Sequence, residues 1–230
     1  MSVLTVDIGG SHLKFKTERQ KKHVSVDSGP KFTPAEMVAA IAEHAAGWSY
    51  DRVTLGYPGP VAQDRPLLEP HNLGRGWTKF NYAKALKRPV RMINDAAMQA
   101  LGAYRGGRML FLGLGTGLGS ALVIDGIVQP LELAHLPWRG DKTYEERLGE
   151  RALLREGKKD WRKTVARALD DLSAAFLVEY IVVGGGNAKR LKDVPENVHI
   201  GSNEDAFIGG FRIWSDEQVK ARRSMPRMAG

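Results

Sequence analysis

Leu112-Gly113-Leu114-Gly115-Thr116-Gly117-Leu118-Gly119-Ser120 is the stretch that decides how this chain is read. Its glycines fall between two apolar runs of strand length, Met109–Leu114 and Ser120–Ile124. Glycine at such a point lets the backbone approach a ligand closely and turn its N–H groups toward an anion. Nearer the start the same arrangement recurs in Val3-Leu4-Thr5-Val6-Asp7-Ile8-Gly9-Gly10-Ser11, an apolar run that ends in glycines and resumes as a strand. Ile93-Asn94-Asp95 lies between the two turns. Two phosphate-gripping turns with a carboxylate between them predict phosphate held from two sides beside a base, the layout of a phosphotransferase.

Working outward, residues 2–8, 12–17 and 23–27 alternate or run apolar, which predicts an antiparallel three-strand meander. Met37, Val38, Ile41 and Ala45 recur at helical spacing from Pro34 to Ala46, with Thr33 placed as N-cap and Pro34 at the first helical position. Arg52–Leu55 reads as a strand running into Gly56-Tyr57-Pro58-Gly59-Pro60, a turn. Residues 61–88 read as irregular, then Val90–Ile93 as a buried strand and Asp95–Tyr104 as a helix. Gly106-Gly107 is the candidate hinge, and Asp125-Gly126 the turn of a hairpin. Helices are expected over Thr143–Leu154, Trp161–Leu177 and Glu204–Trp214, with a strand at Tyr180–Val183 closed by Gly184-Gly185-Gly186-Asn187. Each half therefore opens as strand, glycine turn, strand and continues into helices and parallel strands.

At 230 residues the chain has material for one large core or two lobes. Apolar residues make up 43% and charged ones 26%, the balance of a globular protein that stays in water. No apolar run reaches the ~20 residues of a membrane span, and the opening residues read directly as a strand rather than a secretory leader. Cysteine is absent, which excludes disulfides and thiolate zinc sites and favours a cytoplasmic setting. The net charge of +8 suits an anionic ligand. Much of that excess falls on Lys220, Arg222, Arg223 and Arg227, within a basic tail over 216–230 expected to be disordered. No aromatic-basic platform points to nucleic acid.

Taken in order, these motifs resemble the ROK group (repressors, open reading frames and sugar kinases), and within it the polyphosphate or ATP glucokinases. The matching stretches are Asp7-Ile8-Gly9-Gly10-Ser11-His12-Leu13-Lys14, Asn94-Asp95, Gly113–Gly119, Glu132-Leu133-Ala134-His135, Gly184–Asn187 and Phe207-Ile208-Gly209-Gly210. Ala134 stands where the family usually has glycine. The resemblance covers roughly residues 1–215 and implies an α/β, two-lobed, actin-like (duplicated ribonuclease H-like) ATPase fold with a cleft between the lobes. Residues 1–107 would form the first lobe and 108–202 the second, with the helix at about 203–215 packing back on the first. The family's cysteine-rich zinc module is missing, so no zinc is expected. Its third sugar ligand would fall to Glu145, counted back from Ala152, with Glu146 and Glu150 as competitors. Only six residues precede Asp7, so the helix-turn-helix of the repressor branch is not expected. Homodimers are common in the group.

The resemblance implies a hexose, glucose first, phosphorylated on its 6-hydroxyl by ATP or inorganic polyphosphate with Mg²⁺. Mannose, fructose, an N-acetyl amino sugar, or a non-catalytic sensor are the other readings. Asp95 would be the general base, kept ionised at neutral pH by the helix N-terminus it opens. Asp7 would hold Mg²⁺ through water. Gly9, Gly10 and Ser11 would donate to the transferred phosphoryl group, and Lys14 either points at phosphate or sits on a solvated face. Gly115, Thr116 and Gly117 would grip the distal phosphates, with Gly184, Gly185, Gly186 and Asn187 on the nucleotide side. Asn94, Glu132 and His135 would read sugar hydroxyls, the last two converging from i and i+3.

Overall fold

The computed structural model describes residues 2–215 and Gln218. Apart from Gln218, the basic tail expected over 216–230 lies outside the described residues.

The first half builds one sheet. Strands β1 (Val3–Ile8), β2 (His12–Thr17) and β3 (Val24–Asp27) form the predicted antiparallel meander. Helix α1 (Pro34–His44) follows, its start fixed by a reciprocal capping box between Thr33 and Glu36, and buries Met37, Ala40 and Ile41. Strand β4 (Arg52–Tyr57) then pairs parallel with the free edge of β1. A short hairpin, β5 (Val61–Ala62) and β6 (Arg65–Pro66), and helix α2 (Tyr82–Leu86) lead to β7 (Val90–Asn94), parallel to β4. Helix α3 (Asp95–Ala103) crosses to the second half.

There the pattern repeats. Strands β8 (Arg108–Leu114), β9 (Leu118–Ile124) and β10 (Ile127–Leu131) form a second meander, its second turn made by Asp125 and Gly126 at φ 49° and 79°. Helices α4 (Tyr144–Leu148) and α5 (Glu150–Phe176) precede β11 (Tyr180–Gly184), which lies parallel to β8, and β12 (Val198–Ile200) beside it. Helix α6 (Asp205–Arg212) comes last. The sheet orders are β3-β2-β1-β4-β7 and β10-β9-β8-β11-β12. Each is a meander whose first strand accepts two parallel strands on its other edge, one architecture used twice.

Three expectations change. The helix expected over Thr143–Leu154 breaks at Gly149, which is extended (φ −68°, ψ 171°); a Cβ there would stand 2.9 Å from the Glu145 carbonyl oxygen. Helix α5 starts eleven residues before Trp161 and is broken again at Gly157 (φ 77°, ψ 162°). Residues 61–88 are not wholly irregular. The hairpin β5–β6 turns on Gln63 and Asp64 at φ 51° and 60°, and with no glycine there it left no ordinary turn signal.

Leu4, Val6, Phe15, Met37 and Trp77 anchor a core around the first sheet. Leu110, Leu114, Trp161, Val165 and Leu172 anchor another between the second sheet and α4–α5. Between them, Ile93, Met98 and Leu101 meet Phe111 and Val123, so α3 is the packed joint of the two halves. Helix α6 crosses α3 so closely that a Cβ on Gly102 or Gly209 would collide with the other helix's backbone. It is also tied to the first sheet: Thr54 donates to the Gly210 carbonyl (2.7 Å), and Lys16 pairs with Glu204 (2.6 Å). Among the described residues no helix is long and apolar enough to cross a membrane.

Candidate active site

The end of β7 and the start of α3 set the acceptor side. Asn94, rather than Asp95, caps the helix: its Oδ1 accepts from the Ala97 N–H (3.0 Å), while its Nδ2 donates to the Gly59 carbonyl (3.2 Å). Asp95 is the first helical residue and accepts from the Ala96 N–H (2.8 Å). Loss of hydration, reinforced by the charges of Asp7 and Glu132 and opposed by the Ala96 N–H, pushes its carboxyl up to about 7. The expectation that the helix N-terminus keeps Asp95 fully ionised is therefore corrected, since burial and two like charges outweigh the dipole. Asp7, at the end of β1, is also raised by burial, against the pull of Lys14, its partner across the β1–β2 register. A Cβ on Gly119 would come within 2.7 Å of the Ala96 Cβ, so the second glycine turn abuts the start of α3. The charges of Asp7 and Glu132 thus both reach Asp95 beside the second glycine turn.

A cleft of about 430 Å³ lies between the turns, lined by residues expected to meet the phosphoryl donor. From the first half it takes Asp7, Gly9, Ser11, His12 and Lys14. Lys14 is half-buried and lines the cleft. The Gly9 N–H is not free for phosphate: it donates to the His12 carbonyl (3.0 Å), closing the turn on itself. Ser28 holds that turn, its Oγ donating to the Gly9 carbonyl (2.7 Å). Gly10 faces Asn72, whose Cβ a Cβ on Gly10 would meet at 3.0 Å. Sequence reasoning missed Asn72, which lies in the stretch read as irregular and carries no motif of its own.

From the second half the cleft takes Gly115, Thr116, Glu150, Gly186 and Asn187, then Lys189 and Arg190 just beyond them. The Gly115 carbonyl accepts from the Glu150 N–H (3.2 Å) and from Asn187 Nδ2 (3.3 Å). Asn187, only 4% exposed, also accepts from Arg190 Nε (2.9 Å), and its N–H donates to the Leu114 carbonyl (2.9 Å). Gly184 pairs with Gly113, and Gly185 (φ 82°) lies against the backbone of Leu114, so this turn is stitched to the Gly115–Gly117 turn. Lys189 and Arg190 were not among the residues the sequence marked; a basic pair just past a glycine turn was the available signal.

Of the residues expected to read sugar hydroxyls, Glu132 follows β10 and His135 ends a short 3₁₀ turn, their side chains 3.8 Å apart and both more than half exposed. Ser120, 1% exposed, donates to the Leu131 carbonyl (2.9 Å) and accepts from the Leu133 N–H (3.2 Å), fixing the backbone on either side of Glu132. Beyond His135 the chain makes a small hairpin clamped to α5: Trp138 stacks on Tyr144 and donates to Asp171 (2.9 Å), which also pairs with Arg139 (3.2 Å). Of the three glutamates considered for a further sugar contact, Glu146 is taken by the Thr143 capping box. Glu150 lines the donor cleft. Glu145 accepts from the Leu118 N–H (3.2 Å) and lies against Gly117, bracing the second turn.

No cluster of three potential ligands for a metal occurs among the described residues. Asp7 and Glu150 nevertheless both face the cleft. That fits magnesium, which keeps several waters and takes one or two carboxylates together with phosphate oxygens.

Two sheets of the same order, each with a glycine turn at one cleft, define a two-lobed α/β protein of the actin-like ATPase fold. Residues 3–130 match the family model described as ROK family, and the chain belongs to that family. It is 31% identical over 102 residues to a glucokinase of Pyrobaculum calidifontis, covering 42% of this chain. It is 28% identical over 214 residues to a polyphosphate glucokinase of Mycobacterium leprae, covering 80% of this chain. The matches span 34% and 63% of those two relatives. The fold superposes on the inorganic polyphosphate/ATP-glucomannokinase of Arthrobacter sp. strain KM with a TM-score of 0.75 at 23% identity, covering 91% of this chain and 96% of that one.

Proposed function

We propose that this protein is a hexose kinase that transfers a phosphoryl group to the 6-hydroxyl of glucose, with Asp95 as general base. The observation that carries the reading is the state of Asp95, a carboxylate raised to about 7 beside Asp7 and Glu132 where two glycine turns converge. A base is most effective when its pKa lies near the working pH, since it is then both available and strong enough to take the hydroxyl proton. Glu132 and His135 would orient the sugar through its other hydroxyls, with Asn94 offering the second hydrogen of its Nδ2. As the oxygen attacks, its proton passes to Asp95. The exposed hydroxyls of Ser11 and Thr116 and the charge of Lys14 would meet the phosphoryl oxygens from opposite sides. Asp7 and Glu150 would hold magnesium, which neutralises charge on the donor phosphates.

For the donor we infer inorganic polyphosphate ahead of ATP. Among the described residues, none of those lining the cleft is Val, Leu, Ile, Met, Phe, Tyr or Trp, so they offer no large aliphatic or aromatic platform for a purine beyond His12. Where a nucleoside would lie, Lys189 and Arg190 present cations instead. The name of the Arthrobacter kinase keeps mannose beside glucose as an acceptor. A cysteine-free chain fits a cytoplasmic setting.

A coupled assay crossing glucose, mannose, fructose and N-acetylmannosamine with polyphosphate and ATP tests the reading. Glucose 6-phosphate formed faster with polyphosphate is the expected result. A folded protein that phosphorylates no hexose with either donor would overturn it.

A further inference from the structure

We propose that the donor cleft continues outward onto a cationic shelf made by Lys158, Lys159 and Arg162 of α5, which binds the distal phosphates of a long polyphosphate chain. The proposal rests on the donor reading above and extends it from the reacting phosphates to the rest of the polymer.

The shelf is continuous with the cleft through one contact. Arg162 Nε donates to the Arg190 carbonyl at 2.5 Å, and Arg190 lines the cleft. Lys158 and Lys159 precede Arg162 by four and three residues, the spacing that places side chains side by side on one flank of a helix. Both lysines are exposed and Arg162 is half-buried. The shelf is also rigidly mounted. Trp161, fully buried, donates its Nε1 to the Leu148 carbonyl (2.9 Å), pinning the helix directly after the break at Gly157.

The nearby acids do not cancel this charge. Asp160 is paired with Lys163 (2.9 Å), though it also feels the field of Lys159, and Glu156 is paired with Arg155 (2.7 Å). Among the described residues, Lys158, Lys159 and Arg162 are in no salt bridge within 4.0 Å. Glu150 faces the inner cleft, where it shares the lining with Asp7. Cations leading outward from a phosphate cleft fit a flexible polyanion. Nucleic acid is the poorer fit, because the aromatic ring of this segment, Trp161, is buried and leaves no platform for stacked bases.

The test uses the full chain with Lys158 and Lys159 both changed to Glu, beside a Lys158→Arg, Lys159→Arg control. Initial rates with glucose are measured for ATP, tripolyphosphate and a long-chain polyphosphate, with circular dichroism to check folding. In the wild type, KM per chain should fall with chain length and rise with salt. In the Glu variant, KM for the long chain should rise about tenfold with kcat unchanged, as expected when two cation–phosphate contacts are replaced by repulsion. KM for tripolyphosphate and ATP should stay where it was, and the Arg control should behave as wild type. Equal use of short and long chains by the wild type, or equal weakening of all donors in the variant, overturns the shelf and leaves the donor reading standing. Use of ATP alone overturns both. Inhibition by an oligodeoxythymidine that the Glu variant escapes, without any chain-length effect, would assign the shelf to nucleic acid and overturn the proposal.

Discussion

The two glycine turns occupy equivalent places in two sheets of the same strand order, yet they differ in how much distant bracing they receive. The first closes on itself, Gly9 bonding His12 across three residues, with Ser28 of the adjacent strand end as its external support. The second has an internal bond of its own, the Gly115 N–H to the Gly117 carbonyl (3.1 Å), and is also braced from a distance: Asn187 and the Glu150 N–H hold the Gly115 carbonyl, and Glu145 holds the Leu118 N–H. A turn that closes itself can form as soon as its hairpin does. A turn that is also held by residues 27 to 72 positions away depends on the rest of the second lobe for part of its support. The two phosphate turns therefore differ in how far a distant change can reach them.

Asp95 stands where the two turns meet, and changing it should produce the largest effect. Asp95→Asn should lower kcat by about 10²–10⁴-fold, the usual worth of a general base, while both turns and glucose binding persist. The wild-type kcat/KM for glucose should rise with pH through a midpoint near the 7 of the free carboxyl. Asp7→Asn removes the neighbouring negative charge, so that midpoint should move to lower pH. Stability moves the other way. Because the folded state raises this carboxyl, ionising it costs folding free energy, a penalty that grows from the unfolded value near 4 up to about 7 and is complete above. Asp95→Asn should therefore melt at a higher temperature than the wild type at pH 8 and lose that advantage at pH 4. An unchanged pH profile in Asp7→Asn would separate the two carboxylates and remove the convergence on which the comparison depends.

The contrast also explains what the sequence made legible. Gly9-Gly10 and Gly113–Gly119 announce themselves because crowding at Gly9, Gly10, Gly117 and Gly119 leaves a local mark in the sequence, and the strands beside them alternate or run apolar over their whole length. The duplicated sheet, the Thr33 cap and the Asp125-Gly126 turn were readable for the same reason. What was not readable depends on contacts made across the fold. Nothing local says that Glu145 turns to the Leu118 N–H, that a Cβ on Gly149 would crowd the Thr116 carbonyl, or that Asn72 comes to face Gly10. The protonation of Asp95 belongs to the same class: a helix start is visible in sequence, whereas Asp7 and Glu132 as its neighbours are not.

Asn187→Ala breaks the distant bracing. It removes a buried side chain that joins Gly115 to Arg190, leaving the Gly115 carbonyl with only the Glu150 N–H. Unmade bonds at a buried site cost about 1–3 kcal/mol, so urea unfolding should show a loss of that size. The donor KM should rise roughly tenfold, the equivalent of ~1.4 kcal/mol, because Arg190 loses its anchor together with the turn. The glucose KM should move little, since Glu132 and His135 are held by β10 and Ser120.

Ser28→Ala is the matching change on the first turn and should have the smallest effect. The hydroxyl gives one hydrogen bond to the Gly9 carbonyl, from a half-buried position where water can take its place. Two backbone bonds remain after the substitution, Gly9 to His12 and the Ser28 N–H to the Ser11 carbonyl (2.9 Å). The loss should be about 0.5–1 kcal/mol by urea unfolding, near the net worth of an ordinary hydrogen bond. The steady-state constants for sugar and donor should stay within about twofold, because ~0.4 kcal/mol already accounts for a factor of two. The ranking is the sharper measurement, since both variants delete a side-chain bond to a turn carbonyl. If Ser28→Ala weakens the donor as much as Asn187→Ala does, the first turn does not hold its own shape, and the two lobes grip phosphate in the same way after all.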